Sequence, residues 1–325
     1  MKCKPGILAA GLLALAASGG AFAQVTSAFP CRQVKFIVPY PPGGSSDLLA
    51  RLLVPGLTQK LAATIVVENK AGAGGNIGTS QVSSAKADGC TWLLGNSSNI
   101  VISRNLYKLQ RDPVEALVPV AEVAAMPMVL YVSTQLPASD MKQFVGALRA
   151  PGSAYSYASP GSGTTHHLLG EKLKVDLGAA ATHVPYRGSG PAIQDMLGAS
   201  VSFAFEGTSA IIPHLAGAKI RALATTGEQR SPGLPNVPTM KELGYPGFVV
   251  TNWYGVFVPQ GTPAALVEQL NAGVRETLKT AQMTEALAKL DSLNADYSVA
   301  QFRQFVRKEA PYWESLVKQT GAKVD

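Results

Sequence analysis

The chemistry open to this chain lies in two loops rich in glycine and hydroxyl side chains. The first, Pro39-Tyr40-Pro41-Pro42-Gly43-Gly44-Ser45-Ser46-Asp47, follows the apolar run Val34-Lys35-Phe36-Ile37-Val38 and leads directly into a helical pattern. The second, Ala158-Ser159-Pro160-Gly161-Ser162-Gly163-Thr164-Thr165-His166-His167, also follows a strand and opens a helix near Leu168. In open parallel sheets, ligands bind beyond the carboxyl ends of strands, where glycine permits close backbone approach and the next helix turns its free N–H groups outward. Both loops therefore read as anion cradles, and on two different lobes they would hold one anion from both sides. Neither contains lysine or arginine. None is required: a helix N-terminus contributes ~0.3–2 kcal/mol and a charge-assisted hydrogen bond ~1.5–3 kcal/mol, compatible with the ~8 kcal/mol of a micromolar complex. For the first loop the alternative is a plain Pro/Gly turn with a serine cap.

Other chemistries fit less well. The first loop lacks the Gly-Lys-Ser/Thr of a P-loop and the GxGxxG spacing of a dinucleotide site. Ser162 and Ser189 sit in Gly-Ser-Gly contexts, but Pro160 and Arg187 stand where GxSxG needs its outer glycine, so a serine hydrolase is not expected. The four histidines, His166, His167, His183 and His214, lack the i, i+4 pair of a zinc protease, and no metal or cofactor is expected. Being adjacent, His166 and His167 point different ways on a helix, so at most one faces a cleft. Gly72-Ala73-Gly74-Gly75-Asn76 has no partner lysine and reads as a tight turn before a helix.

The elements that must position these loops alternate strand and helix. Strands are expected at 34–38, 64–67 and 91–94, with helices over about 46–61 and 77–85 between them, a βαβαβ pattern that predicts a parallel doubly wound sheet. Further strands are expected at 128–132, 155–158, 181–184, 201–205, 220–224 and 253–258, too many for one small sheet, so two lobes are expected. Near the end, Thr262-Pro263 suits a helix start, and Val267, Leu270, Val274 and Leu278 form one apolar stripe. A last helix over about 299–319 carries Phe302, Phe305, Val306, Trp313, Leu316 and Val317, with Pro311 expected to bend it.

The first residues have the layout of a secretory leader: Lys2 and Lys4, an apolar run from Ile7 to Ala17, then Ala21-Phe22-Ala23, with cleavage expected after Ala23. No later segment reaches about 18 uninterrupted apolar residues. The 325 residues favour two domains at about 150 each. The formal charge of +7 includes the two leader lysines and comes without a basic cluster or interleaved aromatics, so nucleic-acid binding is not expected. Cys31 and Cys90 each precede a strand; if those strands are parallel neighbours, both thiols lie at one sheet edge within the ~5.5 Å Cα separation of a disulfide. A disulfide is expected, the alternative being two buried free thiols.

Taken in order, the motifs resemble the Bug-type receptors, the periplasmic components of tripartite tricarboxylate transporters. The resemblance runs through Val38-Pro39-Tyr40-Pro41-Pro42-Gly43-Gly44 with Asp47, Val67-Glu68-Asn69-Lys70, Gly72 to Gly78, and Ala87-Asp88-Gly89. It continues through Tyr107 with Asp112-Pro113, Gly161-Ser162-Gly163-Thr164 with His167, Val184-Pro185-Tyr186-Arg187-Gly188, Leu223 to Thr226 with Arg230-Ser231, Leu234 to Thr239, and Trp253-Tyr254-Gly255. It implies an α/β type II periplasmic-binding-protein fold with a hinge and an interlobe cleft. The expected lobes are 32–124 plus 228–325, and 125–227, after a leader at 1–23. It also implies a ligand carboxylate held by Tyr40, Gly43, Gly44, Ser45, Ser46 and Asp47 in the first loop, Ser162, Gly163, Thr164, Thr165 and His167 in the second, and Asn96 and Ser97 after the third strand. Asp47 is expected to position its loop more than to touch an anion.

One departure stands out. Similar proteins usually place Phe-Asp where this chain has Phe205-Glu206-Gly207. A longer carboxylate near the cleft would repel a second ligand carboxylate, pair with a ligand amine, or simply hydrogen-bond the hinge. Tyr186 and Trp253 are expected either as pocket walls or as core. The resemblance thus implies a monomeric receptor, not an enzyme, that closes on a small carboxylate in the periplasm and presents it to a membrane permease, or alternatively to a sensor-kinase ectodomain.

Overall fold

Strand β1 (Gln33–Val38) buries Val34 and Phe36 by alternation and then Ile37 and Val38 on both faces, as expected of a strand covered by helices on each side. The computed structural model describes residues 1–2, 29–292 and 296–324, so the expected leader and its cleavage point lie, apart from Met1 and Lys2, outside the described residues. After β1 the chain continues through α1 (Ser45–Leu61), β2 (Thr64–Asn69), α2 (Asn76–Ser83) and β3 (Thr91–Asn96). Strands β2, β1 and β3 pair in parallel in that order, the arrangement the βαβαβ pattern predicts. Because β1 and β3 are neighbours, Lys35 N–H donates to Cys90 O at 2.9 Å, and Cys31 and Cys90 are joined in a disulfide with Cα atoms 5.5 Å apart.

A short helix α3 (Pro113–Ala116) then leads to β4 (Leu117–Ser133), all of whose residues are buried. This strand spans both halves of a curled sheet. Leu117–Pro127 pairs antiparallel with β9, whereas Met128–Ser133 pairs with β7 and β8. The sequence expectation covered only its second half, since Pro119, Glu122 and Pro127 interrupt the apolar pattern. The structure accommodates them locally: the register shifts between Pro119 and Ala121 and again between Glu122 and Ala124, and Pro127 sits where the partner changes. A residue without an N–H is tolerated where the ladder is already broken.

The second half is built from α4 (Met141–Arg149), β5 (Ser156–Ser159), α5 (Thr165–Leu177), β6 (Thr182–Pro185), α6 (Ser189–Leu197), β7 (Phe203–Gly207), α7 (Thr208–Leu215) and β8 (Ile220–Thr225). Here β5 lies parallel between β6 and β7. The chain returns through β9 (Thr251–Pro259), inserted antiparallel between β3 and β4, so the sheet is mixed and not purely parallel. Gly255 permits that insertion: a Cβ there would stand 2.4 Å from Cζ of Phe302.

Helices α8 (Ala264–Leu278), α9 (Ala281–Lys289) and α10 (Val299–Thr320) close the fold. Val267, Leu270, Val274 and Leu278 are all buried, as their spacing predicts. The start of α8 differs by one residue: Pro263 is the cap, and Thr262 Oγ1 donates backward to Pro259 O at 2.8 Å. Helix α10 is continuous through Pro311 and carries the capping box Ser298/Gln301. Trp253 is core, packed edge-on to Phe302 and Phe305, and is not a pocket wall.

Candidate functional site

The carboxyl ends of β1, β3, β5 and β6 open on one cavity of about 260 Å³. One wall is the first loop, Tyr40 to Ser46, and behind it stand Asn96, Ser98, Asn252 and Tyr254. The opposite wall is Pro160, Thr164 and His166 from the second loop, with Arg187 to Pro191 and Glu206. The two glycine-rich loops do face each other.

Local structure explains the first loop. Gly43 has φ +88, which side chains resist, and its N–H donates to Asp47 Oδ2 at 3.1 Å. Asn69 Nδ2 donates to Asp47 Oδ1 and to Tyr40 O, both at 3.0 Å, and Arg51 pairs with Asp47 one turn on. Asp47 does not line the cavity; it holds the loop from behind. Burial pushes its carboxyl up, but Arg51, the Gly43 N–H and Asn69 outweigh burial and keep it below the ordinary carboxylate value. Helix α1 starts at a Gly44 cap with no side-chain hydrogen bond, so its first turn is left to serve a ligand.

In the second loop, Thr164 caps α5, accepting from the His167 N–H at 3.4 Å and donating to Gly161 O at 2.8 Å. Of the two histidines, His166 reaches the cavity. His167 turns inward: its Nδ1 accepts from Gly163 N–H at 3.1 Å, and its ring stacks on His183 at 4.0 Å. His183 in turn contacts Ser159 Oγ through Nε2 at 2.6 Å, and burial, together with His167 and Lys174, lowers its pKa to about 3. With His183 neutral, this stack is a prop under the loop. Ser162 and Gly163 are absent from the cavity wall; the Ser162 carbonyl accepts from Tyr107 Oη at 3.0 Å.

Polar contacts join the two walls. Ser97 Oγ lies 2.8 Å from Thr165 Oγ1 and donates to Asn252 Oδ1 at 2.6 Å, and Asn252 Nδ2 donates to Tyr254 Oη at 2.8 Å. Ser98 Oγ accepts from the Thr165 N–H at 3.1 Å. Ser97 and Thr165 are thus buried between the walls and do not line the cavity. Tyr40 Oη donates to Asn96 Oδ1 at 3.1 Å, and burial, partly offset by Asn96, pushes its phenol well above the ordinary tyrosine value. Tyr186 lies outside the wall, its Oη donating to Asp195 Oδ2 at 2.6 Å.

The residues that sequence reasoning did not place are Arg187 to Pro191, with Ser98, His166, Asn252 and Tyr254. Gly188 (φ +110) caps α6 without a side-chain hydrogen bond, giving the cavity a third helix N-terminus beside those of α1 and α5. A signal was present: Gly188-Ser189-Gly190 lies between a strand and a helix, as the first two loops do. Asn252 and Tyr254 gave none, because strand β9 reaches the site only by inserting between β3 and β4.

Two α/β halves sharing a crossing strand, with glycine-capped helices converging on the cavity between them, define a two-lobed solute-binding receptor of the periplasmic-binding-protein type. The chain matches the family described as tripartite tricarboxylate transporter family receptor over residues 49–322, and it belongs to that family. It is 37% identical to the protein BugT of Bordetella pertussis over 315 residues, 95% of each chain. Among solved structures it is similar to the periplasmic binding protein BugD, with a TM-score of 0.83 and 32% identity over 91% of this chain and 100% of that one. It is also similar to MatC from Rhodopseudomonas palustris with bound malate, with a TM-score of 0.84 and 31% identity over 89% of this chain and 100% of the other. The family is one of receptors, and the chain is a receptor and not an enzyme.

Proposed function

We propose that this protein captures a small carboxylated solute in the periplasm and delivers it to a tripartite tricarboxylate-type permease. The observation that carries the reading is the convergence on one cavity of three helix N-termini, those of α1 and α6 capped by glycine and that of α5 by Thr164, with no lysine in the wall and with Arg187 exposed at its edge. Such termini are satisfied by an anion without an opposing ammonium, and each adds ~0.3–2 kcal/mol. The malate bound by MatC supports the same class of ligand. Tyr40, Gly43, Gly44, Ser45, Ser46, Asn96 and Thr164 contact the solute. Asp47, Ser97, Ser162, Gly163, Thr165 and His167 hold those residues in place.

The lobes are 32–124 plus 228–325, and 125–227, joined at β4 and at the return to β9. The receptor acts as a monomer in which hinge closure brings the second loop onto a solute already held by the first, excluding water. The exported chain loses its leader after Ala23.

The test is a thermal-shift screen of the refolded, ligand-stripped mature protein against small carboxylic acids and their uncharged amides. A hundredfold excess over the dissociation constant adds ~2.7 kcal/mol to the folded state. A shift with an acid and none with its amide supports the carboxylate clamp. Equal shifts with both, or none with any acid, overturns it.

A further inference from the structure

Glu206 is a carboxylate in the wall of an anion site, which asks for a physical explanation. It is 5% exposed and ends strand β7 opposite the first turn of α5. His166 Nε2 lies 3.0 Å from its Oε1, and the Gly207 N–H donates to the same oxygen at 2.9 Å. Both bonds fall on Oε1, and the Ser189 hydroxyl also reaches the carboxylate. An ionised carboxylate accepts at about four lone-pair sites, and leaving part of that capacity unmet in a buried place is costly. Arg187 stands exposed at the mouth. His166 Nδ1 is buried without a partner.

Resting on the carboxylate-clamp reading, we infer that Glu206 sets the class of solute: a monocarboxylate whose other end offers a donor (an ammonium, amide N–H or hydroxyl) to the Glu206 carboxylate, which lines the cavity. A second carboxylate at that place is refused. The helix termini hold one end of the molecule by negative charge, and Glu206 reads the other by requiring a proton. Two carboxylates facing each other in a buried site cannot both stay ionised without loss of affinity.

The experiment is a calorimetric ranking on the ligand-stripped protein. Succinate, glutarate and adipate are each compared with the monoamide, with the analogue carrying an amine in place of one carboxylate, and with the diamide. The monoamide or amino acid is expected to bind at least about tenfold tighter than the dicarboxylate of the same frame. In Glu206→Gln the dicarboxylate gains about tenfold and the amino acid loses its advantage, whereas Glu206→Asp, which keeps the charge but withdraws it by one methylene, moves the ratio in the same direction by less. Dicarboxylates binding wild type as well as the monoamides do, or an unchanged ratio in a folded Glu206→Gln, overturns the inference. The wild-type ranking decides the matter even if a variant fails to fold. Diamides binding as tightly as monoamides would instead sink the carboxylate clamp itself, and silence across the panel overturns both.

Discussion

Ser98 Oγ accepts the backbone N–H of Thr165 at 3.1 Å, so a residue that follows β3 completes the cap of helix α5 on the other half of the molecule. Thr164 caps the same helix through the His167 N–H, and Ser97 meets the Thr165 hydroxyl beside it. The N-terminus of α5 is therefore finished by contributions from both sides of the cleft, which ties the geometry of the second loop to the approach of the two walls.

Ser98→Ala removes that contact without changing the fold of either half. A net hydrogen bond is worth ~0.5–1.5 kcal/mol, so the solute should bind roughly two- to tenfold more weakly. The melting point of the ligand-free protein should barely move. Calorimetry and a melting curve on the same preparation check this; unchanged affinity would mean that the contact is not linked to binding.

The Cys31–Cys90 bridge sits before the first residues of β1 and β3, at the opposite end of those strands from the cavity. It closes a sequence separation of 59 residues. In the chain-entropy account such a loop contributes about 4 kcal/mol. Replacing both cysteines with alanine should lower the unfolding free energy in urea by ~2–4 kcal/mol while leaving solute affinity within about twofold. A large loss of affinity in the folded double variant would show that the bridge acts on the site.

Asp47 has a carboxyl held below its ordinary value near 4, because burial is outweighed by Arg51, the Gly43 N–H and Asn69. Its folded pKa is lower than its unfolded one, so its contribution to stability is complete above pH about 4 and is lost as pH falls through the depressed native value. Asp47→Asn should therefore be less stable than wild type at neutral pH, and the difference should shrink on acidification below about pH 4. Urea midpoints across that range measure it. A gap that stays constant with pH would remove the carboxylate from the explanation.

Several elements follow from the chain's local pattern. The alternation around Val34 and Phe36, the β-branched run Ile65-Val66-Val67 and the turns between them specify parallel β2-β1-β3, and with it the pairing of Cys31 and Cys90. Glycine and serine before a helix marked the first two cradles, because their N–H groups and backbone freedom are properties of the residues themselves. What only the tertiary structure decided depends on residues distant in sequence. The first half of β4 becomes a strand only because β9 supplies a partner, overriding Pro119 and Pro127. Asn252 and Tyr254 enter the wall by that same insertion. The choice of His166 over His167 as the cavity histidine came from packing: His167 is drawn under its loop by Gly163 and His183, which leaves its neighbour to meet Glu206. Local sequence specifies what a loop can offer, whereas the side chain that faces the solute is selected by contacts that form when the two halves pack together.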